Sequence, residues 1–218
     1  MPIMKVIGID DAGRGPLIGP MILAGVMLTE EQEKLLKKEG ISDSKILSHP
    51  VRIKMSKLIK ENSLSYKIVK TIPEEIDNHS NLNTLEAEKA AEIINYLNKG
   101  DKIKVIVDCP SVNTKVWSST LRSLINETEN INLICEHKAD ANHASVSAAS
   151  ILAKVTREEE VEKLKKEYGD FGSGYPSDPK TKLFLKQKGA VLKDSGIFRK
   201  SWATWKAVFP SKSQSTLF

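Results

Sequence analysis

Residues 8–16 read GIDDAGRGP: two adjacent carboxylates directly after an apolar run, then glycines around a single arginine. Like charges side by side persist only where the chain is simply turning, or where a cation or a shared proton compensates them. Two more acids repeat the placement. Asp108 closes the apolar run KVIVD, and Asp140 follows the run NLICEHK just ahead of a stretch of small residues. In open α/β sheets, sites form beyond the carboxyl ends of the strands. Acids at three strand ends can therefore converge although they lie far apart in sequence.

Each acid also has a plainer reading. Asp140 could be a helix N-cap, Asp108 the start of a turn before Cys109-Pro110, and Asp10-Asp11 turn residues ahead of Gly13. If the acids do converge, an all-oxygen ligand set suits Mg²⁺ or Mn²⁺. Two such ions about 3.5–4 Å apart suit in-line phosphodiester hydrolysis.

Gly13-Arg14-Gly15 lets the backbone approach a ligand and adopt positive φ, with Arg14 nearby, although a tight turn between strands accounts for the same residues. Lys45, in Asp43-Ser44-Lys45, stands in a polar turn suited to a phosphate contact. Tyr175, between Gly174 and Pro176, is an aromatic in a stiff loop that could stack on a sugar or base or simply pack.

Positioning such groups requires a folded domain. The chain has 218 residues, 40% hydrophobic and 28% charged, which is ordinary for a soluble globular protein and ample for a core. The excess of Lys and Arg (33) over Asp and Glu (28) leaves a net charge of +5, compatible with a polyanion partner. The two cysteines, Cys109 and Cys135, have neither the spacing of a zinc site nor the number of a disulfide framework, so they are expected as small buried residues in a reducing cytoplasm. The N-terminus is too short in apolar residues for a signal peptide, and no run approaches a membrane span. The expected location is the cytoplasm.

Short β-rich runs alternate with helical patterns. Strands are predicted at 4–9, 21–28, 64–72, 104–108 and 132–138, and helices after 28 and at 51–62, 82–100, 114–126 and 143–168. KVIVD is almost wholly apolar, as in a strand buried on both faces. The helix after Asp140 begins ASVSAASILA, whose small side chains allow a close approach to a sheet. The alternation predicts an α/β fold with a mixed sheet. Beyond Tyr168 come a Gly-, Pro- and Ser-rich loop, a helix at 179–189 and the aromatic segment FRKSWATWKAVF, read as a helical appendage over the sheet edge. PSKSQSTLF reads as a flexible tail.

Taken together, GIDDAGRGPLIGPM, SDSK (42–45), VDCPSVNTK (107–115), HKADA (137–141), SAASILAKVTR (147–157) and GDFGSGYPSDPKT (169–181) resemble ribonuclease HII in its archaeal form, over residues 4–209. The resemblance implies a ribonuclease H-like fold, a mixed five-stranded sheet flanked by helices with a helical C-terminal part. The catalytic domain would be 1–169, with 170–209 covering the substrate side and 210–218 a tail. It also implies an endoribonuclease that cuts RNA in RNA/DNA hybrids and at single ribonucleotides embedded in duplex DNA. Cleavage would fall 5′ of the ribonucleotide, leave 3′-hydroxyl and 5′-phosphate ends, and use two Mg²⁺ or Mn²⁺ ions. The family's catalytic, metal-holding acids fall on Asp10, Asp11, Asp108 and Asp140. Gly13, Arg14 and Gly15 match the element that senses the 2′-hydroxyl, Tyr175 the tyrosine that stacks under the sugar, and Lys45 a phosphate contact. One position departs: the family has glutamate where this chain has Asp11, one methylene shorter.

The C-terminal QSTLF is similar to the front of a sliding-clamp-binding peptide, through Gln214, Leu217 and Phe218. The expected partners are hybrid and ribonucleotide-containing duplexes and a sliding clamp, with the protein a monomer. Three other readings compete. In one the protein is a ribonuclease weakened by Asp11. In another it is an aspartate-nucleophile phosphatase with Asp10 attacking phosphate, although DDAG lacks the usual pair of acids two residues apart and the nearby Thr or Ser. In the third it is a non-catalytic nucleic-acid or clamp adaptor with structural acids.

Overall fold

The computed structural model describes residues 4–41 and 47–210. The elements, in chain order, are β1 (Lys5–Ala12), β2 (Met21–Thr29), α1 (Glu30–Lys38), α2 (His49–Asn62), β3 (Ser65–Thr71), α3 (Pro73–Asn78), α4 (Leu82–Leu97), β4 (Ile103–Asp108), α5 (Thr114–Ser123), β5 (Ile131–Glu136), α6 (Ala139–Asn142), α7 (Ala144–Tyr168), α8 (Pro179–Lys188) and α9 (Ala203–Val208). The chain divides into two compact units. The first holds the stretch up to Ala12, Ile22–Val69 and Asn81–Thr156; the second holds Gly13–Met21, Lys70–Ser80 and the chain from Arg157 on.

The strands form one mixed five-stranded sheet in the order β3-β2-β1-β4-β5. β1 pairs antiparallel with β2 and parallel with β4, which pairs parallel with β5. The apolar pattern predicts a first strand ending at Ile9, but β1 continues to Ala12. Its ladder with β2 holds through Asp10↔Ala24, Asp11↔Leu23 and Ala12↔Ile22, whereas pairing with β4 stops at Ile9↔Val107. Backbone hydrogen bonds do not require apolar side chains, so the strand outlasts its hydrophobic signal. The central strand thus loses one neighbour where the two acids begin.

The first unit is built to bring helices close to this sheet. A Cβ on Gly8 would stand 2.1 Å from the backbone of Ser145, so only glycine admits α7 at this distance. Ala148, Ala149, Ile151 and Leu152 of α7 pack with Ile22, Ala24 and Val26 of β2. On the opposite face, a Cβ on Gly25 would meet Ile93 of α4 and Ile9 of β1. Asn81 caps α4 by accepting from Asn83 N–H, and Asn113 caps α5 by accepting from Val116 N–H. The short helices α3 and α6 are absent from the periodicity reading, because four to six residues cannot display a helical repeat.

The second unit has its own aromatic core of Leu17, Ile18, Phe171, Phe184, Phe198 and Trp205. Each such side chain contributes about 1.5–3 kcal/mol on burial. Phe198 and Trp205 lie 5.0 Å apart between centroids, and Trp205 and Phe209 4.6 Å. Asp178 starts α8 by accepting from Lys180 N–H, with Pro179 at the first position. Asp77 fastens the segment after β3 to the segment before α9 by accepting from the N–H groups of Lys200 and Ser201, at 2.6 and 2.9 Å. Among the described residues, no helix is long and apolar enough to cross a membrane.

Candidate active site

In the first unit, alternation along β1 directs Gly8, Asp10 and Ala12 to the face under α7, and Ile9 and Asp11 to the face of α4. Adjacent acids thus leave the strand on opposite sides. Both line a cleft at the strand ends with Asp108 and Glu86. Asp10 is buried, at 7% exposure. Its carboxyl is hydrogen-bonded by the Ser150 side chain on α7 and accepts from Asp11 N–H at 2.8 Å. Burial, then the charge of Asp11, then that of Asp108 push the Asp10 pKa up to about 8, against the pull of these two hydrogen bonds. Without a cation, Asp10 therefore carries a proton at neutral pH.

Asp108, at the end of β4, accepts from Ala139 N–H at 3.1 Å, tying that strand end to the first residue of α6. The turn before it depends on Lys138, whose φ of 57° is left-handed. Asp140 is buried within α6. The plainer reading of Asp140 as an N-cap gives way here: the side chain bonded to the start of α6 is that of Asp108. Cys109 follows directly; neither it nor Cys135 is in a disulfide, and Cys109 is buried as expected whereas Cys135 is only half-buried.

Glu86 is the acid that sequence reasoning missed. It is 2% exposed and shares the cleft with Asp10, Asp11 and Asp108. In LNTLEAEKAAEII a glutamate reads as solvated surface. Its phase was the available signal, because positions 86, 90, 93 and 97 form one inward stripe that is otherwise Ala, Ile and Leu. As the side chains are placed, no three His, Cys, Asp or Glu among the described residues form a set that could hold a metal ion. The donor chemistry is nonetheless that of a hard cation, with carboxylate oxygens only, one of them kept protonated by burial first and by its neighbours' charge second.

In the second unit, Gly13 has φ 85° and carries the chain into the Arg14-Gly15 turn. The carbonyls of this turn are engaged from within. Arg199, which is wholly buried, donates to the oxygens of Gly13 and Arg14 at 2.6 Å each and to that of Gly19 at 3.0 and 3.1 Å. Trp202 Nε1 donates to Gly15 O at 3.0 Å. Arg199 also stacks 5.0 Å from the Trp202 ring. Tyr175 stands beside the turn, its ring 3.5 Å from where a Gly15 Cβ would be, and is 40% exposed. Its loop is pinned through Gly174, which accepts from Leu17 N–H at 2.8 Å and donates to Thr181 Oγ1 at 3.0 Å. Arg157 lies 5.5 Å from the centre of the Tyr175 ring. Arg157, Arg199 and Trp202 escaped sequence reasoning, because a lone arginine or tryptophan carries no spacing signal. Gly13, Arg14, Gly15 and Tyr175 therefore gather in the second unit, and Asp10, Asp11, Asp108 and Asp140 belong to the first. Lys45, Gln214, Leu217 and Phe218 lie outside the described residues.

A family model for ribonuclease HII matches residues 7–205. Ribonuclease HII of Pyrococcus furiosus is 45% identical over 220 residues, covering 98% of this chain and 97% of that protein. The crystal structure of ribonuclease H2 from Pyrococcus horikoshii superposes with a TM-score of 0.87 at 40% identity, covering 94% of this chain and 97% of the other. Ribonuclease HII of Archaeoglobus fulgidus, solved in complex with PCNA, gives 0.81 at 37% identity, covering 91% and 95%.

Proposed function

The chain belongs to the ribonuclease HII family of RNA-cleaving endonucleases, and on that premise we propose that it hydrolyses RNA in RNA/DNA hybrids and at single ribonucleotides within duplex DNA. The cut falls 5′ of the ribonucleotide and leaves 3′-hydroxyl and 5′-phosphate ends. The observation that carries this reading is the gathering of Asp10, Asp11 and Asp108 at one cleft, where burial first and the neighbouring charges second push Asp10 up to about 8. Such an array suits a site that receives positive charge.

Asp10, Asp11, Asp108 and Asp140 would hold Mg²⁺ or Mn²⁺, which supplies an activated water and offsets charge on the leaving oxygen. Ser150 and Asp11 N–H orient the Asp10 carboxyl, and a bound cation would favour its ionised form. Ala139 N–H holds one oxygen of Asp108. The Gly13–Gly15 turn is set before substrate binds, since Arg199 and Trp202 already occupy its carbonyls. Its role is to recognise the 2′-hydroxyl, the group that distinguishes RNA from DNA at a single nucleotide, with Tyr175 stacked against the sugar.

Cleavage of a duplex carrying one ribonucleotide, with a Mg²⁺ and Mn²⁺ titration and end mapping, tests the reading. Metal-dependent incision at the 5′ side is expected. Binding without incision at any metal concentration would favour the adaptor reading instead. Gln214, Leu217 and Phe218 are proposed as a sliding-clamp contact, in keeping with the Archaeoglobus relative solved with PCNA. Removing residues 213–218 is expected to abolish clamp binding, and undiminished affinity would remove that part.

A further inference from the structure

Arg157, the last residue of the SAASILAKVTR motif, is 9% exposed. Neither Nε nor Nη2 finds a hydrogen-bond partner among the described residues, although both are buried. Arg199 in the same unit shows the usual solution, spending its donors on three backbone carbonyls. Arg157 has no such outlet. A buried guanidinium without a hydrogen-bonded partner is costly, and a fold retains one where an anion completes it.

The surroundings identify the anion. Gly13 is pressed against the side chain, where a Cβ would stand 2.1 Å from Nε and 2.2 Å from Cδ. On another side, Nη2 is 3.7 Å from the Cβ position of Gly174. The Tyr175 ring, at 5.5 Å, supplies a partial cation–π contact. Arg157 therefore sits among the groups assigned above to reading one nucleotide, held between two backbone segments that lack side chains. Its fixed charge suits a phosphodiester oxygen, taken as a charge-assisted contact.

Resting on that reading of the glycine turn and Tyr175, we propose that Arg157 is a substrate-binding residue whose guanidinium takes a backbone phosphate oxygen at the nucleotide recognised there. Arg157 thus adds a charge-specific contact to a turn otherwise built from backbone and an aromatic ring.

The test compares wild type, R157M and R157K for binding to a duplex with one ribonucleotide, in EDTA and across a KCl series. Each phosphate contact contributes about 0.9 to the slope of log K against log salt. R157M is expected to flatten the slope by about 1 and to weaken binding about 10-fold at low salt. Its melting temperature should be unchanged or higher, because an uncompensated buried charge is removed. R157K should keep the slope and recover part of the affinity. An unchanged slope in R157M, with or without a lower melting temperature, overturns the proposal. R157Q carries the same comparison if R157M does not fold. A wild type that fails to bind the duplex at all overturns the nucleic-acid reading as well, whereas wild-type binding matched by R157M overturns the arginine contact alone.

Discussion

The acidic strand ends of the first unit and the glycine turn of the second are opposite electrostatic problems. In the first, carboxylates are held near one another and Asp10 keeps its proton through burial and its neighbours' charge. In the second, two arginines are buried beside backbone rather than acids. Arg199 is satisfied internally by the carbonyls of Gly13, Arg14 and Gly19, whereas Arg157 retains unmatched donors. The contrast separates groups that hold the fold from groups that wait for a ligand. On the roles proposed above, Arg199 is of the first kind and Asp10 and Arg157 are of the second, one proposed to meet a cation and the other an anion.

Substitutions can break or sharpen this contrast. The largest effect is expected from Asp108→Ala, which should reduce cleavage of a ribonucleotide-containing duplex by about 1000-fold or more while leaving the protein folded. Retained cleavage would show that the acidic cluster is structural after all. Arg199→Met should cost about 3–5 kcal/mol of stability in urea unfolding, since three buried carbonyls lose their donors. A cost below about 1 kcal/mol would remove the distinction between the two arginines. Tyr175→Ala should weaken duplex binding by about 1–3 kcal/mol in a fluorescence titration, the usual worth of one stacking contact, and leave the Asp10 environment unaltered.

Asp11→Glu lengthens the acid by one methylene. It is expected to change the cleavage rate by about 10-fold or to alter the Mg²⁺/Mn²⁺ preference, and identical rates with both metals would contradict this. The smallest effect concerns Asp10→Asn without metal. The folded-state pKa of about 8 exceeds the reference 3.8, so the stability linked to this proton is full below about pH 4 and lost as pH rises through 8. Melting in EDTA should therefore favour the Asn variant at pH 9 and not at pH 4. An advantage that did not grow with pH would show that the strain on Asp10 is overstated.

Much of this molecule is legible in one dimension. Alternating apolar runs and helical stripes determine the mixed α/β architecture, and the acids at 10, 11, 108 and 140 stand out because each follows an apolar run. The small residues of ASVSAASILA announce a close helix–sheet contact, which Gly8 and Ser145 make. Other features required the tertiary structure. β1 runs past its apolar segment because its ladder with β2 continues after that with β4 has ended. Glu86 looks like surface until α4 is laid on the sheet, and Arg157 and Arg199 look alike until their partners are counted. The physical reason is the same in each case. Periodicity and local motifs are properties of neighbouring residues, whereas burial, charge compensation and the satisfaction of a hydrogen-bond donor depend on residues brought together from distant parts of the chain.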